Sequence, residues 1–168
     1  MQRETCKLFR YFLLIFVAAV FTITAISSSP AVEKSSKDFR FQYAAKLLCT
    51  ANIPGTSQTT PSVLPGVYKT AVNIHNPNDQ TVRWRRKISQ PELGFSKFIE
   101  DQLKPDETAR VTCDQIQSDF GPFIHGVEGF LVIESTQSLD VIGVYTAGKN
   151  GGEVESIDVK DIRERRID

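Results

Sequence analysis

Two cysteines and two histidines could supply the ligands of a metal site, because thiolate sulfur and imidazole nitrogen are donors that zinc prefers. They follow one another at intervals of 26, 38 and 12 residues, in the order Cys49, His75, Cys113 and His125. No C-x2-C or H-x3-H spacing is present, and the only methionine, a common axial ligand of copper, is Met1. The sequence therefore predicts no metal, with His75 and His125 left as the alternative.

A catalytic site would need a nucleophile or a general base in a recognisable setting. The chain contains no Gly-x-Ser-x-Gly, His-Glu-x-x-His or P-loop motif. The paired acids Glu100/Asp101 and Asp106/Glu107 lie beside predicted turns, where acidic side chains are common because they favour solubility. We therefore predict no catalytic residue, no cofactor and no enzymatic activity.

Three basic residues of the run RWRRK alternate with other residues, so they share one face of a predicted strand: Arg83, Arg85 and Lys87. One interpretation is a contact with an anionic surface, such as a polyanionic glycan or lipid headgroups. The alternative is a solvated outer face whose charges discourage pairing with other strand edges. Nucleic acid is not predicted as a partner, because 20 basic and 20 acidic residues leave a formal net charge of zero.

The other two residues of this run lie on the opposite, inward face of the same predicted strand. Trp84, the only tryptophan, is predicted to anchor the core, with sugar stacking or an interface as the alternative for an exposed ring. Arg86 interrupts the apolar inward positions. It either lies at the end of the core beside an acid, or it marks a bend where the alternation slips.

The first 31 residues are typical of an export signal. Three basic residues and one acid in Met1–Arg10 precede an uncharged run from Tyr11 to Val32. These 22 uncharged residues also suffice for a membrane anchor, which needs about 20. Either alternative places the rest of the chain outside the cytoplasm, as a periplasmic or secreted protein or one anchored through residues 11–32. Residues 32–38 are predicted to be a polar linker.

Two of the three cysteines belong to the part of the chain predicted to be exported. Cys6 precedes the apolar run and is separated from the chemistry of that part. In an oxidising compartment, Cys49 and Cys113 can form a disulfide bond, and two buried free thiols are the alternative.

Short alternating segments separated by turn residues predict an all-β fold for residues 39–168. No long helical periodicity is present in this part, and the pattern is typical of an antiparallel β-sandwich of seven or eight strands. Asn76-Pro77-Asn78-Asp79 is a strong turn signal and predicts a hairpin between the strands on either side. Asp114 is predicted to cap a short helical turn that ends before Gly121. The predicted strands cover 41–49, 67–76, 81–89, 95–103, 109–113, 129–135, 139–146 and an edge strand at 156–159.

Four segments resemble a family of uncharacterised exported bacterial proteins that is common in cyanobacteria: YAAKLLC (Tyr43–Cys49), PGVYKTAVNIHNPN (Pro65–Asn78), GFLVIESTQSLDVIGVYTAG (Gly129–Gly148) and ESIDVKDI (Glu155–Ile162). The last two are also similar to the soluble transducer of a cyanobacterial sensory rhodopsin, a β-sandwich oligomer. The resemblance implies a β-sandwich outside the cytoplasm and carries no catalytic residues. The run RWRRK is not part of it.

These observations favour a non-catalytic module at the cell envelope that binds a partner or assembles with itself. The partner would be an envelope protein, a glycan or a second copy of the chain. The alternative is a small metal-binding or redox protein that uses Cys49, Cys113 and the histidines.

Overall fold

A computed structural model describes residues 38–50, 66–91, 93–122, 126–149 and 153–167. These ranges contain ten strands and one helix. In chain order they are β1 (Phe41–Cys49), β2 (Val67–His75), β3 (Val82–Gln90), β4 (Gly94–Phe95), β5 (Ile99–Leu103), β6 (Thr108–Thr112), α1 (Cys113–Phe120), β7 (Val127–Ser135), β8 (Asp140–Gly148), β9 (Val154–Asp161) and β10 (Glu164–Arg166).

The strands form two sheets in which every pairing is antiparallel. The six-stranded sheet has the order β10-β1-β7-β3-β4, and β5 also pairs with β3. The four-stranded sheet has the order β6-β2-β8-β9. The predicted antiparallel all-β class is therefore confirmed, but the described ranges contain ten strands and a helix where seven or eight strands were predicted. The two most apolar segments of the chain, β7 and β8, have a strand on each side in their respective sheets, which is the position their composition indicates.

The core lies between the two sheets and is built from the alternate, inward residues of the long strands other than β9. On β1 these are Tyr43, Ala45, Leu47 and Cys49, none more than 4% exposed. Ile116 of α1 is 1% exposed, so the helix contributes one buried side chain to this core. Other core residues are Val72, Ile74, Val82, Trp84, Ile88, Leu103, Val111, Val127, Leu131, Ile133, Leu139 and Val141.

The predicted hairpin at Asn76–Asp79 is wrong. β2 pairs with β6 and β8, whereas β3 pairs with β4, β5 and β7, so this turn carries the chain from one sheet to the other. The buried Asn76 amide stabilises the crossing, because it donates to the carbonyls of Gln80, Leu103 and Lys104 at 2.8–3.0 Å. Turn residues show that the chain reverses direction, but the strand pairing depends on distant partners.

The helix begins one residue earlier than predicted and has a different cap. Thr112, not Asp114, has extended backbone angles and accepts the N–H of Gln115 at 3.3 Å. A threonine hydroxyl can perform this role as an aspartate does, because either oxygen satisfies one of the unpaired N–H groups of the first turn. Gly121, with φ 101°, ends the helix.

Two further differences concern the edges of the six-stranded sheet. The single strand predicted at 95–103 is divided into β4 and β5. No strand is predicted beyond position 159, yet Glu164–Arg166 pairs with Phe41–Tyr43 as β10. An edge strand is solvated on its outer sides, so its polar composition does not reveal it.

Within the described ranges, no helix is long and apolar enough to cross a membrane. The predicted signal or anchor at 1–31, and all but the last residue of the predicted linker 32–38, lie outside these ranges and stay predictions.

Candidate binding surface

Cys49 and Cys113 form a disulfide bond, with sulfur atoms 2.09 Å apart and Cα atoms 5.6 Å apart. The bond joins the end of β1, in the six-stranded sheet, to the first residue of α1, which follows the four-stranded sheet. The backbone N–H of Thr70 donates to Sγ of Cys113 at 3.2 Å. Of the two alternatives, the disulfide is the one found. Both sulfur atoms are thereby unavailable as thiolate ligands for a metal.

His75 lies at the end of β2 on the outer face, and each of its two ring nitrogens lies within hydrogen-bond distance of a carboxylate. Nε2 is 2.9 Å from Asp106, and Nδ1 is 3.0 Å from Asp140. The hydrogen bonds from Asp106 and then Asp140 raise the pKa of His75 above its ordinary value of 6.5. No group of three or more His, Cys, Asp or Glu in the described part of the chain is arranged to hold a metal. His125 lies outside that part.

The folding stability should depend on the protonation of His75. The doubly protonated ring can donate to both carboxylates, whereas the neutral ring can donate to only one of them. Because folding raises the pKa, this contribution is complete below about pH 6.5 and is lost as the pH rises through the raised value. We expect the free energy of unfolding of the wild type to fall over this window relative to His75→Gln, measured by urea unfolding at a series of pH values. Parallel pH profiles for the two proteins would contradict this expectation.

The basic stripe on β3, defined as Arg83, Arg85 and Lys87, lies on the outer face of the six-stranded sheet, but two of its charges are already paired. Arg83 contacts Asp38 at 2.8 Å. Arg85 donates through Nε and Nη2 to the 6% exposed Glu134, at 2.8 and 2.6 Å. A free anionic surface would therefore compete with carboxylates that are already in place. The interpretation as a fully solvated face is not supported either, because the side chain of Arg85 is only 13% exposed.

Three phenylalanines hold the stripe in a stack of alternating cations and rings. Phe39, 3% exposed, lies 5.3 Å from the guanidinium of Arg83 and 4.1 Å from that of Arg85. Phe98 lies 4.0 Å from Arg85 and 4.5 Å from the ammonium of Lys87. Phe95 lies 4.9 Å from Lys87. Such cation–π contacts fix the segments before β1 and β5 onto the sheet, which indicates a structural use of the stripe.

The inward residues of the same strand are both buried. Trp84 is 1% exposed and Arg86 is 7% exposed. Arg86 donates through Nε and Nη2 to one carboxylate oxygen of Asp119, at 2.9 and 2.7 Å, and its guanidinium lies 5.3 Å from the Trp84 ring. Of the two accounts of Arg86, the one that places it beside an acid is correct. The acid comes from α1, 33 residues away, so no local pattern could identify it.

β9 is exposed along its whole length, unlike the other long strands. Its apolar residues Val154, Ile157 and Val159 are 58–64% exposed. Ile157 and Val159 are opposite Thr146 and Val144 of β8, and Ile142, 37% exposed, continues this outer face. Val144 of β8, which is half-buried, lies on the same face. We call the apolar residues of this outer face the β9 surface: Ile142, Val144, Val154, Ile157 and Val159. The alternation of Ser-Ile-Asp-Val-Lys predicts one apolar face, but only the structure shows that nothing described covers it.

An open groove of about 460 Å³ lies beside the other face of β9. Its lining is of mixed charge and includes Lys46, Phe130, Tyr145, Asp158 and Lys160. Lys46 is 2.6 Å from Glu128, and Lys160 is 3.4 Å from Asp158. The groove is open and three of its charged side chains are paired, so the apolar edge of β9 is the more distinctive feature of this side of the molecule.

Comparison with known proteins supports the fold alone. No family model matches the chain, and no curated protein matches it. Among solved structures, the crystal structure of Thermotoga maritima 1070 is similar, with a TM-score of 0.52 and 10% sequence identity over 74% of this chain and 93% of that chain. At this identity the likeness shows a shared fold alone. The resemblance to cyanobacterial exported proteins and to the rhodopsin transducer stays a prediction.

Proposed function

We propose that the chain is a non-catalytic module that acts outside the cytoplasm by binding a protein partner, which can be a second copy, through the β9 surface. The observation that carries the proposal is the exposure of this strand. Val154, Ile157 and Val159 are each more than half exposed, on a strand whose eight residues are all exposed. Contiguous exposed apolar residues on a sheet edge are typical of an interaction site.

The backbone of β9 supports the same proposal. An edge strand presents a row of N–H and C=O groups to any strand that approaches, and proteins usually protect such edges with a bulge, a proline, charged side chains or a covering loop. The charges of β9 are of both signs, so they favour a partner strand with a complementary order of charges: Glu155, Asp158, Lys160 and Asp161. β9 contains no proline, and its irregularity lies at the end near Gly148, away from Ile157–Asp161. A partner can therefore add a strand to the four-stranded sheet, with backbone hydrogen bonds for affinity and apolar side chains for specificity.

The disulfide and the amino-terminal sequence support a location outside the cytoplasm. Disulfides persist in oxidising compartments, and the Cys49–Cys113 bond joins two elements of the core. The uncharged run of residues 11–32, with basic residues before it, predicts export as a signal peptide or as an anchor. We propose a periplasmic, secreted or membrane-anchored protein on these grounds.

The metal-binding or redox alternative would require changes to the described residues. Cys49 and Cys113 would have to be reduced before either could bind a metal. His75 would have to leave Asp106 or Asp140. No observation on the described residues favours this alternative, so the binding module is the function that we propose.

Site-specific photocrosslinking tests the proposal in the full chain. A benzophenone amino acid replaces Ile157 on β9 or, as the matched control, Thr108 on β6, the other edge of the same sheet. Both positions are exposed, but β6 buries Val111 and carries no comparable apolar surface. After irradiation of cells that export the protein, we expect a discrete crosslinked product from position 157 and little from position 108. Equal products from both positions, or none from 157, would overturn the proposed function.

A further inference from the structure

We propose that the partner of β9 is β9 of a second copy of the chain, paired antiparallel about a two-fold axis at Val159. This inference rests on the proposed binding role of the β9 surface. It is carried by the free backbone groups of the strand and by the order of its charges. The product would be a continuous eight-stranded sheet that spans two copies.

The hydrogen-bond pattern shows which groups of β9 are free. Ile162 donates its N–H to the carbonyl of Val141 at 2.8 Å, which is the continuation of the β8–β9 register. In an antiparallel pair, residues alternate between those bonded to the neighbour and those directed away from it. Residues 158 and 160 are therefore bonded to β8, whereas Ile157, Val159 and Asp161 direct their N–H and C=O groups to the free edge.

The charges of the strand distinguish among the registers that a two-fold axis allows. An axis at Asp158 would place two aspartates opposite each other, and an axis at Lys160 would do the same with two lysines. Like charges directly opposite each other on paired strands are destabilising. An axis at Ile157 places Asp158 opposite Ser156 and forms no charge pair.

An axis at Val159 pairs the free backbone groups of β9 and also places opposite charges next to each other. Val159 is then opposite its own counterpart, and Ile157 is opposite Asp161, so the free groups of these residues form roughly six backbone hydrogen bonds. Asp158 of each copy is opposite Lys160 of the other. These pairs are of the non-hydrogen-bonded kind, in which the side chains approach each other most closely. This register therefore forms two pairs of opposite charge, Asp158 with Lys160, and one apolar pair, Val159 with its counterpart.

Cysteine crosslinking tests this register in the full chain. Cys6→Ser provides the background, because Cys49 and Cys113 are already bonded to each other. In the proposed dimer the two Cα atoms at position 159 are about 5.5 Å apart, a separation that suits a disulfide. The two copies of position 157 are displaced by four residues, or about 13 Å along the strand. We expect mild oxidation to give at least about ten times more covalent dimer from Val159→Cys than from Ile157→Cys, seen on non-reducing gels.

Charge reversal tests the proposed pairs separately from the intrachain contact of Lys160 with Asp158, which is 3.4 Å long. Asp158→Lys and Lys160→Asp each place like charges opposite each other in a homodimer, so each alone should weaken dimer formation by roughly tenfold. When the two variants are mixed, the opposite pairs return between copies while the intrachain pair stays lost in both. We expect the mixture to recover dimer formation. Both side chains are about 60% exposed, so folding should tolerate the changes.

The outcomes separate this inference from the proposed function. Preferential crosslinking at position 159, together with recovery in the mixture, supports self-pairing. If position 159 gives no more dimer than 157, or the mixture does not recover, self-pairing in this register is wrong. If the photocrosslink from position 157 then leads to a different protein, the binding function stands without self-pairing. If neither experiment yields a product, both the inference and the proposed function fail.

Discussion

Replacing Cys49 and Cys113 together by alanine is expected to lower the free energy of unfolding by about 4 kcal/mol. The bond closes a loop with a sequence separation of 64 residues, and a cross-link of this length restricts the unfolded chain by about that amount. Cys49 is 4% exposed, so alanine removes the bond without burying a new polar group. Urea unfolding followed by the fluorescence of Trp84, the only tryptophan, measures the change.

Reduction of the wild-type protein provides the control, because it removes the same bond without changing the volume of the core. We expect the reduced wild type and the double variant to lose similar stability. A loss below about 1 kcal/mol in both would show that the unfolded chain is already compact or that the bond strains the folded state. It would also show that the disulfide is not needed to hold α1 against β1.

Replacing Asp119 by alanine is expected to cost about 3–5 kcal/mol, since it leaves the guanidinium of Arg86 buried without its carboxylate. The two side chains are 12% and 9% exposed, and one carboxylate oxygen accepts both hydrogen bonds from Arg86. The other oxygen accepts from Gln115 at 2.7 Å. Asp119 therefore fixes the end of α1 against β3, while the disulfide fixes its beginning.

A double substitution tests whether the cost is that of an unpaired charge. Arg86→Met with Asp119→Leu removes both charges and keeps apolar volume, so we expect it to be much closer to the wild type than Asp119→Ala alone. Lys149→Ala provides the matched control, because Lys149 forms an exposed ion pair with Glu155 and should cost less than about 1 kcal/mol. If Asp119→Ala costs no more than this control, the buried pair does not stabilise the fold.

Local pattern was sufficient for most of the strands and for the direction of their side chains. The alternation in RWRRK correctly placed Trp84 and Arg86 inward and Arg83, Arg85 and Lys87 outward, because successive side chains of a strand point to opposite faces. The same alternation could not show which residues each face contacts. The partners of Arg85 and Arg86 are Glu134 and Asp119, which lie 49 and 33 residues away in the sequence.

The turn at Asn76–Asp79 shows the limit of local chemistry in the fold itself. Its residues predict a reversal of the chain, which occurs, but they do not distinguish a hairpin from a crossing between sheets. That choice depends on whether β2 gains more from β3 or from β6 and β8, and strands far apart in sequence decide it. The strand β10 was missed for a related reason, because its pairing with β1 is invisible in a charged segment.

The sequence by itself determined the all-β class, the faces of the strands and the inward position of Trp84, since these follow from the two-residue period and from turn residues. Tertiary structure alone decided the strand order, the pairing of Cys49 with Cys113 over two free thiols, and the carboxylates that pair with the basic stripe. It also decided that Ile157 and Val159 are uncovered. Apolar residues of an alternating strand are ordinarily buried, and only the arrangement of the sheets shows that β9 lies at an edge, where its apolar face and its free backbone groups can meet a second strand.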